Sequence, residues 1–168
     1  MLHVTPMTAA DWQRVRAIRL RALESDPDAF ATTLAVERAR PEASWRERLE
    51  NPAARTFVAS DDGADLGLVT GGPWSGRPGV AGLFAMWVAP EARGRGLGDA
   101  LVGAVIDWAR EADFARLALE VADENGPAIA LYARHGFEPT GRSGSLPPPR
   151  EHVTEHERVL ELGAERAP

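Results

Sequence analysis

Apolar positions along the chain change their period several times, and each change predicts an element. From Trp12 the residues Val15, Ile18, Ala22 and Leu23 recur at helical spacing until Ser25-Asp26-Pro27 stops the stripe. Thr8, followed three residues later by Asp11, resembles a capping arrangement at its start. A strand over residues 2–5 comes before it. A second helix is expected from Pro41, which a first turn tolerates. Trp45 and Leu49 lie four apart on one face of it, and Asn51-Pro52 ends it. After residue 55 the period falls to two. Residues 56–60, 66–70 and 80–88 read as strands, joined by a hairpin turn at Asp61-Asp62-Gly63 and a longer turn over 75–79. Leu97, Leu101, Ala104, Val105 and Trp108 restore the helical stripe. Residues 116–121 form another strand, with Leu117, Leu119 and Val121 on one face and Glu120 on the other. Pro127 opens a short helix that Gly136 caps, residues 146–149 form a stiff proline loop, and 154–162 make a last strand before a frayed tail. The order predicts a mixed α/β fold with a largely antiparallel first half.

Composition narrows the class. At 168 residues the chain is one domain's length and can bury a real core. The 19 basic and 25 acidic residues leave a net charge of −6, which gives no footprint for nucleic acid and favours cationic small partners. The absence of cysteine removes disulfides, thiolate nucleophiles and Cys-ligated zinc. No apolar run approaches the ~20 residues of a membrane span, and the first residues carry no signal pattern, so a cytoplasmic protein with no membrane partner is expected. His152 and His156 are four apart but flanked by a proline-rich loop and a strand, so no metal site is expected there.

The informative stretch runs from Val88 to Asp99. A strand ends, Gly94, Gly96 and Gly98 crowd a loop, and a helix begins near Leu97. Such a turn is an anion site, because the first N–H groups of the helix are unpaired and glycine lets a phosphate approach closely. A nucleotide-type P-loop needs Gly-Lys-Ser/Thr, and here Gly98 is followed by Asp99 and Ala100. The dinucleotide fingerprint needs a third glycine where Asp99 or Leu101 stands. Both nucleotide readings fail.

Arg93-x-x-Gly96-x-Gly98 resembles the pyrophosphate-binding pattern of the GNAT N-acetyltransferase superfamily. The run from Asn125 to Phe137, with Leu131-Tyr132 and Gly136-Phe137 inside it, is similar to that family's second signature. Together the two cover residues 80–137; the remainder fits by element order. On the cofactor side the resemblance is closest to ribosomal-protein alanine N-acetyltransferases, which carry a segment like Leu119-Glu120-Val121. It implies one acyl-CoA N-acyltransferase domain over residues 1–168, with a twisted, mostly antiparallel central sheet flanked by helices and split where the cofactor enters. It implies acetyl-CoA contacts at Met86, Trp87 and Val88 for the pantetheine and thioester, at Gly94, Arg95, Gly96, Leu97, Gly98 and Asp99 for the pyrophosphate, and at Asn125 for the pantetheine arm. Arg93 and Arg95 either add charge near the phosphates or are solvated surface arginines.

The resemblance also implies chemical roles. Tyr132 would protonate the departing thiolate; the alternative is a packing tyrosine beside Ile129 and Phe137. Glu120 would be the general base, directly or through water; the alternatives are a cation anchor or an exposed strand carboxylate. Glu37, Asp28 and Glu91 are further carboxylates without an assigned place, and Trp74, Trp87 and Phe84 line a substrate pocket or pack in the core. The expected activity is acetyl transfer from acetyl-CoA to a primary amine by direct attack in a ternary complex, without a metal. A catalytically silent acyl-CoA sensor or scaffold is the alternative. The acceptor is a small-molecule or protein amine, nucleic acid is not a partner, and a homodimer is compatible. The acceptor-side segments, residues 19–40 and 141–150, match no substrate signature.

Overall fold

In a computed structural model, which describes residues 1–163, the chain runs β1 (Leu2–Pro6), α1 (Trp12–Ser25), α2 (Leu34–Arg38), α3 (Glu42–Glu50), β2 (Arg55–Asp61), β3 (Ala64–Pro73), β4 (Val80–Val88), α4 (Leu97–Glu111), β5 (Arg116–Ala122), α5 (Gly126–Arg134), β6 (Glu138–Ser145) and β7 (Thr154–Glu161). The strands form one seven-stranded sheet in the order β1-β2-β3-β4-β5-β7-β6. Every neighbouring pair is antiparallel except β4 with β5. That is the mixed, mostly antiparallel sheet flanked by helices that the element order implies.

Most elements form where the pattern places them, for the reasons it gives. The Asp11 carboxylate accepts from the Thr8 N–H at 2.9 Å and the Thr8 hydroxyl at 3.1 Å, just ahead of α1. Asp62 and Gly63 both have positive φ (49° and 81°), the type I′ turn that matches the twist of the β2–β3 hairpin. Three elements depart from expectation. β3 extends through Gly71, Gly72 and Pro73, which pair with Leu83, Gly82 and Ala81 although no apolar alternation marks them. α2 is a five-residue helix whose buried residue is Glu37, so no apolar stripe announces it. β6 takes up part of the loop expected over 141–150, and all eight of its residues are exposed. The tail expected after the last strand lies outside the described residues. Among the described residues no helix is long and apolar enough to cross a membrane.

One face of the sheet is covered by α4. Leu97, Leu101, Val102 and Val105 are buried, each contributing about 1.5–3 kcal/mol by leaving water. Close approach depends on Gly71: a Cβ there would lie 2.7 Å from ring atoms of Trp108. α1, α2 and α3 are locked together by one charged group. The Glu37 side chain is 0% exposed and accepts from Arg19 Nε at 2.6 Å, from Arg48 at 3.0 and 3.3 Å, and from Arg40. Burial works to raise its pKa, but the hydrogen bonds from Arg48 and Arg40 and the charge of Arg19 outweigh it, bringing the value from 4.5 to about 2.

Removing one partner from a buried charge cluster is costly, so Glu37→Ala is expected to lower unfolding stability by about 3–5 kcal/mol in urea titrations at neutral pH. The sign of the pH effect follows from the depressed value. Stability from Glu37 is fully present above pH 4.5 and is lost as pH falls toward about 2. Wild type should therefore lose stability through that window faster than Glu37→Gln; parallel curves would remove the cluster from this role.

Candidate active site at the sheet opening

β4 and β5 pair only at Val80 with Arg116, Ala81 with Leu117 and Gly82 with Ala118. Beyond that point β4 stays with β3 as far as Val88, and β5 stays with β7 as far as Ala122, so the two strands part. Ala85 marks the departure. Its φ of 55° is strained for a side-chain-bearing residue, and β3 shifts register opposite it between Leu68 and Thr70. Backbone groups on the facing edges of residues 84–88 and 119–122 are left without a strand partner across the gap.

The gap opens into a cavity of about 1570 Å³, larger than the ~300–1,000 Å³ of a single small-molecule site and roomy enough for two ligands at once. Three groups of elements line it: the first turn of α4 with α5, α1 and α3 with β2 to β4, and the end of β5 with the start of β7. At the α4 end, Gly94 and Gly96 have φ of 79° and 88°, and a Cβ on either would meet nothing within 4 Å. The first α4 bond runs from Ala100 N to Gly96 O (3.1 Å), which leaves the N–H groups of Leu97, Gly98 and Asp99 without intrahelical acceptors. This open, N–H-lined bowl at the positive end of a helix fits a diphosphate. Together with the unpaired edge of β4, it fits the coenzyme A moiety that the sequence resemblance implies.

The residues expected at the cofactor come together here, with one exception. Met86, Trp87 and Val88 line the cavity beside Gly94, Gly96, Leu97, Gly98 and Asp99. Trp87 Nε1 donates to Asp26 at 2.7 Å, and Arg93 donates to the Val88 carbonyl at 3.0 Å and to Asp26 at 3.1 Å. Burial works against ionisation of Asp26, yet the bonds from Trp87 and Ser25 and the charge of Arg93 hold its pKa below the usual value. Arg93 is thus a tie between the glycine turn and the end of β4. Arg95 is the exception: it does not line the cavity, because Asp61 on β2 pairs with its guanidinium. The Asp99 carboxylate is held low by its hydrogen bond from His135 (2.9 Å), then by Arg134 (3.2 Å), so α4 offers the cavity its N–H groups. Asn125 Oδ1 accepts from Ala128 N at 3.2 Å and caps α5, which leaves its amide nitrogen for the cavity.

Tyr132 packs as one reading of the sequence has it and also reaches the cavity. Its ring packs edge-on against Phe137 at 5.9 Å, and the side chain is only 5% exposed. It also lines the cavity, with no hydrogen-bond partner for its hydroxyl among the described residues. Burial pushes the phenol pKa up, so it holds its proton. Glu120 is exposed in the same cavity. Of the unplaced carboxylates, Glu37 is enclosed by arginines, Glu91 pairs with Arg21, and Asp28 lines the cavity. Trp74, Trp87 and Phe84 all line it, Trp87 buried and Phe84 40% exposed.

Three contributors lay beyond sequence reasoning. Asp26 reads only as a helix stop. Glu155 enters the cavity through the β5–β7 register, which no local pattern encodes. Arg150 follows three prolines, yet it holds the segment after α1, whose residues 27–32 line the cavity. Its guanidinium, 14% exposed, donates to the carbonyls of Pro27 (2.5 Å), Phe30 (2.7 Å), Ala31 (2.9 Å) and Thr32 (3.2 Å). One side chain thereby ties the β6–β7 loop to the segment after α1.

A family model described as "Acetyltransferase (GNAT) family" matches residues 12–137. The chain is 36% identical over 97 residues to a Bacillus subtilis protein described as a candidate ribosomal protein bS18-alanine N-acetyltransferase, covering 58% of this chain and 62% of that protein. It is 33% identical over 134 residues to mycothiol acetyltransferase of Beutenbergia cavernae, covering 79% of this chain and 43% of that protein. The chain therefore spans less than two thirds of the length of these relatives. In fold it is similar to the yncA protein of Salmonella typhimurium, solved with its cofactor acetyl-CoA, at a TM-score of 0.79 and 20% identity over 99% of this chain and 97% of the other.

Arg150→Ala should release the segment after α1 without loosening the sheet. Limited digestion with chymotrypsin is expected to cut after Phe30, buried in the intact protein, at least about tenfold faster than in wild type. Unchanged cleavage would show that the four carbonyls are held by something else.

Proposed function

The chain belongs to the GNAT acetyltransferase family, and from that premise we propose that it transfers the acetyl group of acetyl-CoA to a primary amine, both substrates being bound at once. The observation that carries this reading is the parting of β4 from β5 directly beside the glycine bowl at the start of α4. Bound acetyl-CoA supplies a thioester whose acetyl carbon takes the amine nitrogen while its bond to sulfur breaks. The chain's own groups do the rest. N–H groups of residues 97–99 hold the diphosphate, the free edge of residues 86–88 aligns the pantetheine, and the Asn125 amide steadies its arm. Arg93 and Asp26 brace that edge through Trp87 rather than touching phosphate.

An amine arrives as an ammonium and loses two protons on the way to an amide. The first must leave before attack, and in this reading Glu120 takes it, directly or through a water. The second leaves as the carbon–sulfur bond breaks: Tyr132 Oη gives its proton to sulfur and regains one from the nitrogen through solvent, so only the proton taken by Glu120 is released overall. A phenol kept protonated by burial suits that role. Support comes from the shared cavity and from the unpartnered Tyr132 hydroxyl.

Release of coenzyme A thiol in the presence of an amine panel, with mass detection of the acetylated product, tests the activity. Two variants test its parts. Gly96 holds a φ of 88°, which a β-branched residue adopts only under strain. Gly96→Val should weaken acetyl-CoA binding by calorimetry far more than Arg95→Ala, whose side chain faces Asp61; equal effects would move the phosphate site elsewhere. Tyr132→Phe keeps the ring against Phe137. It should leave melting temperature and acetyl-CoA affinity nearly unchanged while turnover falls by roughly 10²-fold. Unchanged turnover with chemistry rate-limiting would return Tyr132 to packing alone.

A further inference from the structure

The acidic side chains around the cavity fall into two groups. Asp26, Asp99 and Asp123 each have a basic partner, in Arg93 at 3.1 Å, Arg134 at 3.2 Å and His156 at 2.5 Å. Asp28 lies 3.9 Å from Arg150. Glu120, Glu124 and Glu155 have no ion-pair partner among the described residues. Two of these, Glu120 and Glu155, share one face of the sheet. β5 and β7 pair Glu120 with Glu157 and Ala122 with Glu155, so Glu120 and Glu155 are diagonal neighbours about 7–8 Å apart along the backbone. Glu157, on the same face, is already satisfied by Arg77 and Thr140. Across from Glu155, β6 presents Gly144; a Cβ there would sit 3.6 Å from Glu120 Oε2, so β6 offers this pair no covering side chain.

Two carboxylates on one wall without a counter-ion repel each other. Burial raises the pKa of Glu155, the charge of Glu120 raises it further, and Arg150 offsets only part. The repulsion is relieved when a cation sits between them. Two further features of the same cavity point to a ligand. Tyr132, only 5% exposed, lines it with no hydrogen-bond partner for its hydroxyl among the described residues, and Phe84, 40% exposed, lines it with an apolar ring.

We propose that the acceptor is a short aliphatic amine carrying two cationic groups, one presented at Glu120 for acetylation and the other held at Glu155. The inference rests on the acetyltransferase reading above. The diagonal corresponds to roughly four or five methylenes between the two nitrogens, and the cavity lining includes the apolar ring of Phe84.

The test compares butylamine with diaminobutane and pentylamine with diaminopentane as acceptors, reading kcat/KM for coenzyme A release. Wild type should prefer each diamine over its monoamine by about tenfold or more, the scale of one charged hydrogen bond. Glu155→Gln should reduce that preference to near unity, whereas Glu138→Gln, a matched charge loss on β6, should retain it. Calorimetric binding of diaminobutane to wild type and Glu155→Gln gives a readout independent of turnover. Equal use of mono- and diamines, or a preference that survives in Glu155→Gln, overturns the inference and leaves the transferase reading standing. Diamine binding lost in Glu155→Gln, with no coenzyme A released from any amine, supports the cation site and overturns the transferase reading. Absence of both diamine binding and diamine preference in wild type likewise overturns the inference.

Discussion

Two parallel strands that stop pairing after Gly82 and Ala118 leave a wedge of unpaired backbone in the middle of a sheet, and such a wedge persists only when each strand is fixed from its far side. Here β4 is held by β3 and β5 by β7, each along most of its length. Strain at Ala85, of order 1–3 kcal/mol, bends β4 away. The Trp87–Asp26–Arg93 tie then fixes the bent end against the segment following α1. The wedge, the glycine bowl and the cavity are thus consequences of one interrupted ladder.

Charge is distributed unevenly around that wedge. On the α4 side the carboxylates are paired with Arg93 and Arg134, His135 adding a hydrogen bond to Asp99, and what remains is a set of N–H groups at a helix N-terminus suited to an anion. On the β5–β7 side Glu120 and Glu155 stand without partners, suited to a cation. The net charge of −6 reaches the site through this second group. An anion bound at one end and a cation at the other also fixes the direction in which each substrate enters, which is what direct attack in a ternary complex requires. The Arg150 tie fixes the cavity-lining segment after α1 to the β6–β7 loop.

Much of this was legible in the residues, unevenly. Helices with an apolar stripe and strands with clean alternation fell where the pattern put them, because burial of one face dictates both the period and the element. β6 and α2 did not, since neither buries an apolar face; β6 is an exposed edge and α2 is organised around Glu37. The glycine turn and the Asn125–Phe137 run were readable because anion binding and capping are local. Glu155, Asp26 and Arg150 were not, because each acts on a partner far along the chain, and only the register or a loop crossing brings them together. The pairing of Arg95 was hidden for the same reason: its place in the motif is local, while its partner Asp61 is 34 positions away.

The central claim is that the parted strands and the start of α4 form one cofactor site. Amide hydrogen exchange with and without saturating acetyl-CoA addresses it residue by residue. Slowed exchange at residues 86–88 and 97–99, with the outer strands β1 and β6 unchanged, is the predicted result. Acetyl-CoA binding seen by calorimetry but accompanied by slowing only outside those two segments would contradict it.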